Sequence, residues 1–203
     1  MHFLKAYLQH PGLYLLLQWL TGGMRARRIC IADYSRYDIG ERVLDVGCGS
    51  GYVVKYLPKA DYVGTDIEPS YINYAKKAYG GIGDFHLLEI NQRTITEFGS
   101  FDLILLNGVL HHVNDQVAAQ VLSTLGQGLN ENGRLLTLDG CYYPDTSMIS
   151  RAFLNHDRGE YIRSEKEYQE LAESAFNQVD LTRRRDLFFI PYDSVVMVCQ
   201  RAR

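Results

Sequence analysis

The sequence predicts an α/β fold, a mostly parallel sheet with helices on both faces. Three observations predict it. Val43–Gly51 reads as a buried strand running into a glycine turn with G-x-G-x-G spacing. Short apolar strands then alternate with helical stretches as far as Leu138. Phe101–Leu106 is an apolar run broken only by Asp102, as a strand covered on both faces requires.

The elements follow in order. Phe3, Leu4, Tyr7 and Leu8 fall at helical spacing. After His10-Pro11-Gly12, Leu13–Leu20 forms a second apolar helix ending near Gly22-Gly23. Arg25, Arg27 and Arg28 read as a solvated basic face, with contact to a phosphate or an anionic membrane surface as the alternative. Ile29–Tyr37 reads as another helix, so residues 1–40 form a helical N-terminal cap over the mouth of the site. Residues 41–140 form the core. Its strands are Arg42–Val46, Asp61–Thr65, Asp84–Leu88, Phe101–Leu106 and Arg134–Leu138, the last entered through the turn Asn130–Gly133. Its helices are Tyr52–Leu57, Pro69–Ala78 and Asp115–Gly126. The second starts on a proline, whose missing N–H costs nothing in the first turn. Residues 141–203 hold a substrate-side loop, a helix and the last strands. Gly140–Tyr161 shows little periodicity. Ser164 and Glu167 form a capping box for a helix to Phe176. Val179–Phe189 and Ser194–Gln200 read as an antiparallel pair closing the sheet.

The chain has 203 residues, which suits a single domain with a substantial core. A net charge of -3 gives no global basic field for nucleic acid. The four cysteines form no C-x-x-C pair, so neither zinc nor a disulfide framework is indicated and no metal is expected. Scattered cysteines suit a reducing, cytoplasmic location. The run Leu13–Leu20 is too short to span a bilayer, which leaves peripheral membrane contact open. No signal peptide is apparent.

Glycines at alternate positions let the backbone approach a ligand that a Cβ would keep away. Asp66 ends the second strand, where a carboxylate can accept hydrogen bonds from both hydroxyls of a ribose. With these pieces in place, the sequence resembles the class I S-adenosylmethionine-dependent methyltransferases. The resemblance rests on Val43–Gly51, on Tyr62–Ile67, and on Phe101–Val113 around the fourth strand; Gly133–Asp139 fits the fifth. It implies a three-layer, Rossmann-like, seven-stranded, mostly parallel sheet with an antiparallel last strand. It implies S-adenosyl-L-methionine as cofactor, S-adenosyl-L-homocysteine as product, and a transferase activity.

Carried onto this sequence, the resemblance sets Gly47, Cys48 and Gly49 against the methionine part of the cofactor, with Asp45 near its ammonium group. Asp66 holds the ribose, Ile67 packs on the adenine, Glu89 accepts from the adenine amino group, and Ile90 covers the ring. Asn107 faces the methionine portion. A nicotinamide oxidoreductase fits less well: Asp45 would repel a pyrophosphate, and the third glycine comes one position too early.

The acceptor is expected to be a small molecule. No Asn-Pro-Pro-Tyr or Asp-Pro-Pro-Tyr follows the fourth strand, and no nucleic-acid module is appended. His111-His112 sits at the carboxyl edge of the sheet, where ligands bind in such folds. His112 is expected to point inward, as a base for a hydroxyl acceptor or as a structural group; His111 is expected exposed or facing substrate. O-methylation leads, with C- or N-methylation of a small or lipid-like molecule as the alternative. A non-catalytic cofactor-binding protein is the reading from another class. His156, Arg158, Tyr161 and Arg163, with Tyr192, are the candidate substrate residues; the arginines suit a carboxylate or phosphate. The sequence leaves the oligomeric state open.

Overall fold

The computed structural model of the protein describes residues 11–157 and 159–201. Expectations for Phe3–Leu8 and for Arg158 lie outside the described residues.

Two helices come first, α1 (Pro11–Thr21) and α2 (Gly23–Tyr34). The sheet is built from β1 (Arg42–Val46), β2 (Asp61–Asp66), β3 (Asp84–Leu87), β4 (Phe101–Asn107), β5 (Leu129–Tyr142), β6 (Arg163–Ser164), β7 (Gln178–Arg184) and β8 (Ser194–Gln200). Helices α3 (Pro69–Tyr79), α4 (Gln92–Phe98), α5 (Asp115–Gln127), α6 (Met148–His156) and α7 (Glu165–Glu173) connect them. The strand order is β3-β2-β1-β4-β5-β8-β7, with β6 paired beside β5 off that path. Strands β3 to β5 in this order run parallel; β8 runs antiparallel to both β5 and β7. The sheet thus has eight strands rather than seven, the extra one being the two-residue β6.

Alternation along β4 explains the three layers. Leu103 and Leu105 pack with Ala26 and Cys30 of α2 and Ile72 and Ala75 of α3. Ile104 and Leu106 pack with Ile95 of α4, Ala118 and Leu122 of α5, and Tyr168 of α7 on the other face.

Several local expectations are corrected. Tyr52–Tyr56 is a 3₁₀ turn, not an α-helix, because Pro58 stops it after little more than one turn. The arginines at 25, 27 and 28 lie inside α2, which starts at Gly23 and stops at Tyr34. Asn130–Gly133 forms a bulge within β5 rather than a turn before it: Phe101 pairs Leu129, and the register resumes at Leu103 with Arg134. β5 also continues past Leu138 to Tyr142. The apparently irregular stretch after it contains α6, capped by the Ser147 side chain, which accepts from the Ser150 N–H. α4, absent from the sequence reading, is set by a capping box between Asn91 and Thr94. β7 ends at Arg184, well short of Phe189. No helix among the described residues is long and apolar enough to cross a membrane.

The glycine turn after β1 has left-handed backbone at Gly47 (φ 69°), Gly49 (φ 55°) and Gly51 (φ 75°). At Gly51 a Cβ would come within 2.7 Å of the Phe85 ring and 2.8 Å of Ala75 Cβ. Gly51→Ala is expected to destabilise the fold by about 1–3 kcal/mol through strain and overpacking. A denaturant midpoint equal to the parent's would refute this.

Candidate functional site

The turn is braced from β2. Gly47 N–H and Cys48 N–H both donate to Thr65 O (2.8 and 2.9 Å). Asp66 Oδ2 accepts from Gly49 N–H at 2.8 Å, and its Oδ1 accepts from Glu68 N–H at 2.9 Å. A carboxylate has about four acceptor sites, so Asp66 keeps lone pairs for a ligand. Burial raises its pKa against the pull of those backbone N–H groups.

Beside the turn lies a cleft of about 560 Å³. Gly47, Gly49, Asp66, Ile67, Glu89, Ile90 and Asn107 line it, so the structure brings most of the expected cofactor residues together. Cys48 and Asp45 sit behind that wall. The Cys48 thiol is buried, and burial pushes its pKa up. Asp45 is 2 % exposed and accepts from the Tyr62 hydroxyl at 2.6 Å. Burial pushes its carboxyl up to about 7, opposed by the Tyr62 hydrogen bond and the charge of Arg27.

The cleft suits S-adenosylmethionine on one observation above all. Asn107 is 5 % exposed, yet neither its Oδ1 nor its Nδ2 has a hydrogen-bond partner in the protein. A buried amide left so is costly unless a ligand completes it. A zwitterionic amino-acid tail, with ammonium and carboxylate, complements both atoms.

A second cleft, of about 330 Å³, opens on the other side of Gly108. Its apolar wall includes Leu17, Leu138, Phe153, Phe188 and Ile190; its polar groups include His111, Asp139, His156, Asp157 and Tyr192. Tyr14, Arg27, Gly108 and His112 line both clefts.

The histidine pair divides differently from expectation. His111 is the buried member, 6 % exposed, and His112 is exposed at the boundary between the clefts. The 3₁₀ turn Leu110–His112 rotates successive side chains far apart, and Asp139 at the end of β5 captures His111. Asp139 Oδ1 meets His111 Nδ1 at 2.7 Å and also accepts from its backbone N–H at 3.2 Å. On the far side, His111 Nε2 lies 3.6 Å from Asp157 Oδ1, whose other oxygen accepts from the Tyr192 hydroxyl at 2.6 Å. Burial works against the imidazolium, but the Asp139 hydrogen bond and the charges of Asp139 and Asp157 outweigh it and raise the His111 pKa.

Arg163 is placed elsewhere than at substrate. Its buried guanidinium donates to Leu110 O (2.8 Å), Val113 O (2.7 Å) and Tyr161 O (3.0 Å), and pairs with Asp115 at 2.8 Å. It lines neither cleft, nor does Tyr161, whose N–H donates to His111 O at 3.0 Å. Both brace the histidine turn. His156 and Tyr192 do reach the second cleft. Sequence reasoning missed Tyr14, Asp139 and Asp157, and took Arg27 for a surface charge. Asp139 carried a usable signal, an acid at the carboxyl end of a central strand beside β4. Among the described residues, no three His, Cys, Asp or Glu side chains are grouped to hold a metal.

The family described as "Methyltransferase domain" matches residues 44–135. The chain belongs to the class I S-adenosylmethionine-dependent methyltransferases. It is 32% identical over 105 residues to a malonyl-[acyl-carrier protein] O-methyltransferase of Legionella pneumophila, covering 49% of this chain and 34% of that one. It is 28% identical over 174 residues to phosphoethanolamine N-methyltransferase 3 of Arabidopsis thaliana, covering 83% and 35%. The chain thus spans about a third of the length of these two curated relatives. A TehB-like S-adenosylmethionine-dependent methyltransferase structure from Corynebacterium glutamicum superposes with a TM-score of 0.63 at 21% identity, covering 87% of this chain and 88% of that one; it shares the fold.

Asp45 gives this methyltransferase domain a pH signature. Its folded pKa of about 7 exceeds the ordinary carboxyl value of about 3.9, so the folded state holds the proton longer. Ligand-free stability is therefore expected to fall as pH rises between these two values, and Asp45→Asn is expected to flatten that slope. Parallel stability–pH curves for parent and variant would refute it.

Proposed function

We propose that the protein transfers a methyl group from S-adenosylmethionine to an oxygen of a small-molecule acceptor, most simply a hydroxyl. The observation that carries this reading is the His111–Asp139 pair on the wall of a cleft adjoining the cofactor cleft. When bound, the cofactor supplies an electrophilic methyl group.

The chain's residues do the rest. Asp66 would hold the ribose hydroxyls, Ile67 and Ile90 would sandwich the adenine, and Glu89 would accept from its amino group. Asn107 would complete its amide on the methionine tail. Asp139 fixes the proton on His111 Nδ1, which leaves Nε2 to take a proton from an acceptor hydroxyl. Tyr192 holds Asp157 beside that nitrogen. His112, His156 and the apolar wall would align the acceptor and exclude water, the main requirement of an in-line displacement. The base role thus passes from His112 to His111, because only His111 has a printed carboxylate partner to orient it.

N-methylation is the second reading. Asp139 Oδ2 is buried without a hydrogen-bond partner at the same cleft, a group that would suit an ammonium-bearing acceptor.

Calorimetry is expected to show S-adenosylhomocysteine binding, weakened about tenfold or more by Asp66→Ala. No binding by the parent would sink the proposal. With an acceptor found by screening extracts against labelled cofactor, His111→Asn is expected to lower kcat by about 10²–10⁴ while cofactor affinity holds. The free base must be neutral, so kcat/KM should rise with pH through a value above the ordinary histidine pKa. Asp139→Asn should move that limb to lower pH. An unmoved limb would remove the pair from the reaction. The same shift makes the stabilisation from His111 full below about pH 6.5 and lost as pH rises through the folded value.

A further inference from the structure

We propose that Arg27 is a carboxylate-binding residue at the meeting point of the two clefts. The inference rests on the methyltransferase reading above and adds a residue to it that lies outside every motif of the family resemblance.

Arg27 projects from α2 and lines both clefts. Its Nη1 donates to Gln18 Oε1 at 2.5 Å and to the Tyr52 hydroxyl at 3.1 Å; its Nη2 donates to the Tyr14 hydroxyl at 3.4 Å. All three acceptors are neutral. Other arginines of low exposure each hold a carboxylate: Arg134 takes Glu41 at 2.7 Å, Arg163 takes Asp115 at 2.8 Å, and Arg184 takes Asp186 at 2.8 Å. Among the described residues Arg27 has no such partner, and Asp45 acts on it only through space. A guanidinium withdrawn from water is costly without an anion, and its planar fork matches a carboxylate.

Its position names the ligand chemistry. Asp66 and Leu88–Ile90 mark the adenosine end of the cofactor cleft, while Arg27 stands at the other end. A Cβ on Gly108 would lie 3.4 Å from Arg27 Nη2, and Gly108 directly follows Asn107 with its unpartnered amide. The α-carboxylate of the cofactor's methionine portion would end there. An acceptor carboxylate entering from the second cleft would meet the same guanidinium. Gln18 and Tyr14, which hold Arg27, also line the acceptor cleft, so α1 and α2 would be ordered around the bound anion.

The test uses the whole chain and three probes. S-adenosylhomocysteine carries the carboxylate; methylthioadenosine keeps the thioadenosine part and lacks it; malonate is titrated into protein saturated with S-adenosylhomocysteine. Arg27→Gln is expected to weaken S-adenosylhomocysteine by about ten- to a hundredfold and leave methylthioadenosine unchanged, with Arg27→Lys losing less. That pattern supports the cofactor carboxylate. Unchanged S-adenosylhomocysteine binding, with malonate bound by the parent and not by Arg27→Gln, supports an acceptor carboxylate. Equal weakening of both adenosine ligands would show a merely structural role and overturn the proposal, as would no change with any probe. A parent that binds neither adenosine ligand instead overturns the methyltransferase reading beneath it.

Discussion

The candidate site depends on the buried guanidinium of Arg163. Its side chain gathers three backbone carbonyls, those of Leu110, Val113 and Tyr161, around one cation, and Asp115 at the start of α5 balances the charge. Carbonyls at the ends of a one-turn 3₁₀ segment have few partners of their own. Arg163 supplies them and so fixes the turn that presents His111 and His112. The two-residue strand β6 carries Arg163 into place by pairing with Cys141 and Tyr142 of β5. The segment covering the acceptor cleft and the catalytic turn are therefore tied to one another through a single side chain.

That tie accounts for the geometry around His111. Gly159, just before the brace, passes so close that a Cβ there would overlap the His111 ring. Asp139 approaches from the sheet and Asp157 from the covering segment. An imidazole between two carboxylates is firmly oriented and harder to deprotonate. Orientation and basicity come from the same neighbours, which is why the pH dependence of the site follows from its packing.

The sheet and its main helices were legible because their signals are local. The run at Phe101–Leu106, the proline opening α3 and the capping box at Ser164 each report on their own neighbourhood. The cofactor cleft was legible for a related reason: Asp66 and the glycine turn lie on adjacent parallel strands whose spacing the fold dictates. The acceptor side was not. Which histidine turns inward is decided by Asp139, across the β4–β5 boundary. Arg163 looks like a ligand-binding cation until its carbonyl partners are known, and Arg27 looks like a surface charge until α1 folds over it. α6 was obscured because its exposed apolar residues, Met148 and Ile149, do not fall on a clean buried stripe.

The four cysteines have a practical consequence. Cys30, Cys48, Cys141 and Cys199 are all buried and unpaired, and burial pushes each thiol pKa up, to about 12 for Cys30, Cys141 and Cys199. Thiolate, the reactive form, is therefore scarce at all four positions. The native chain is already close to a cysteine-silent background for chemical labelling. A single cysteine placed at Met148, 87% exposed on α6 beside the acceptor cleft, would give a dye or spin label one reactive address from which to follow that cleft in solution.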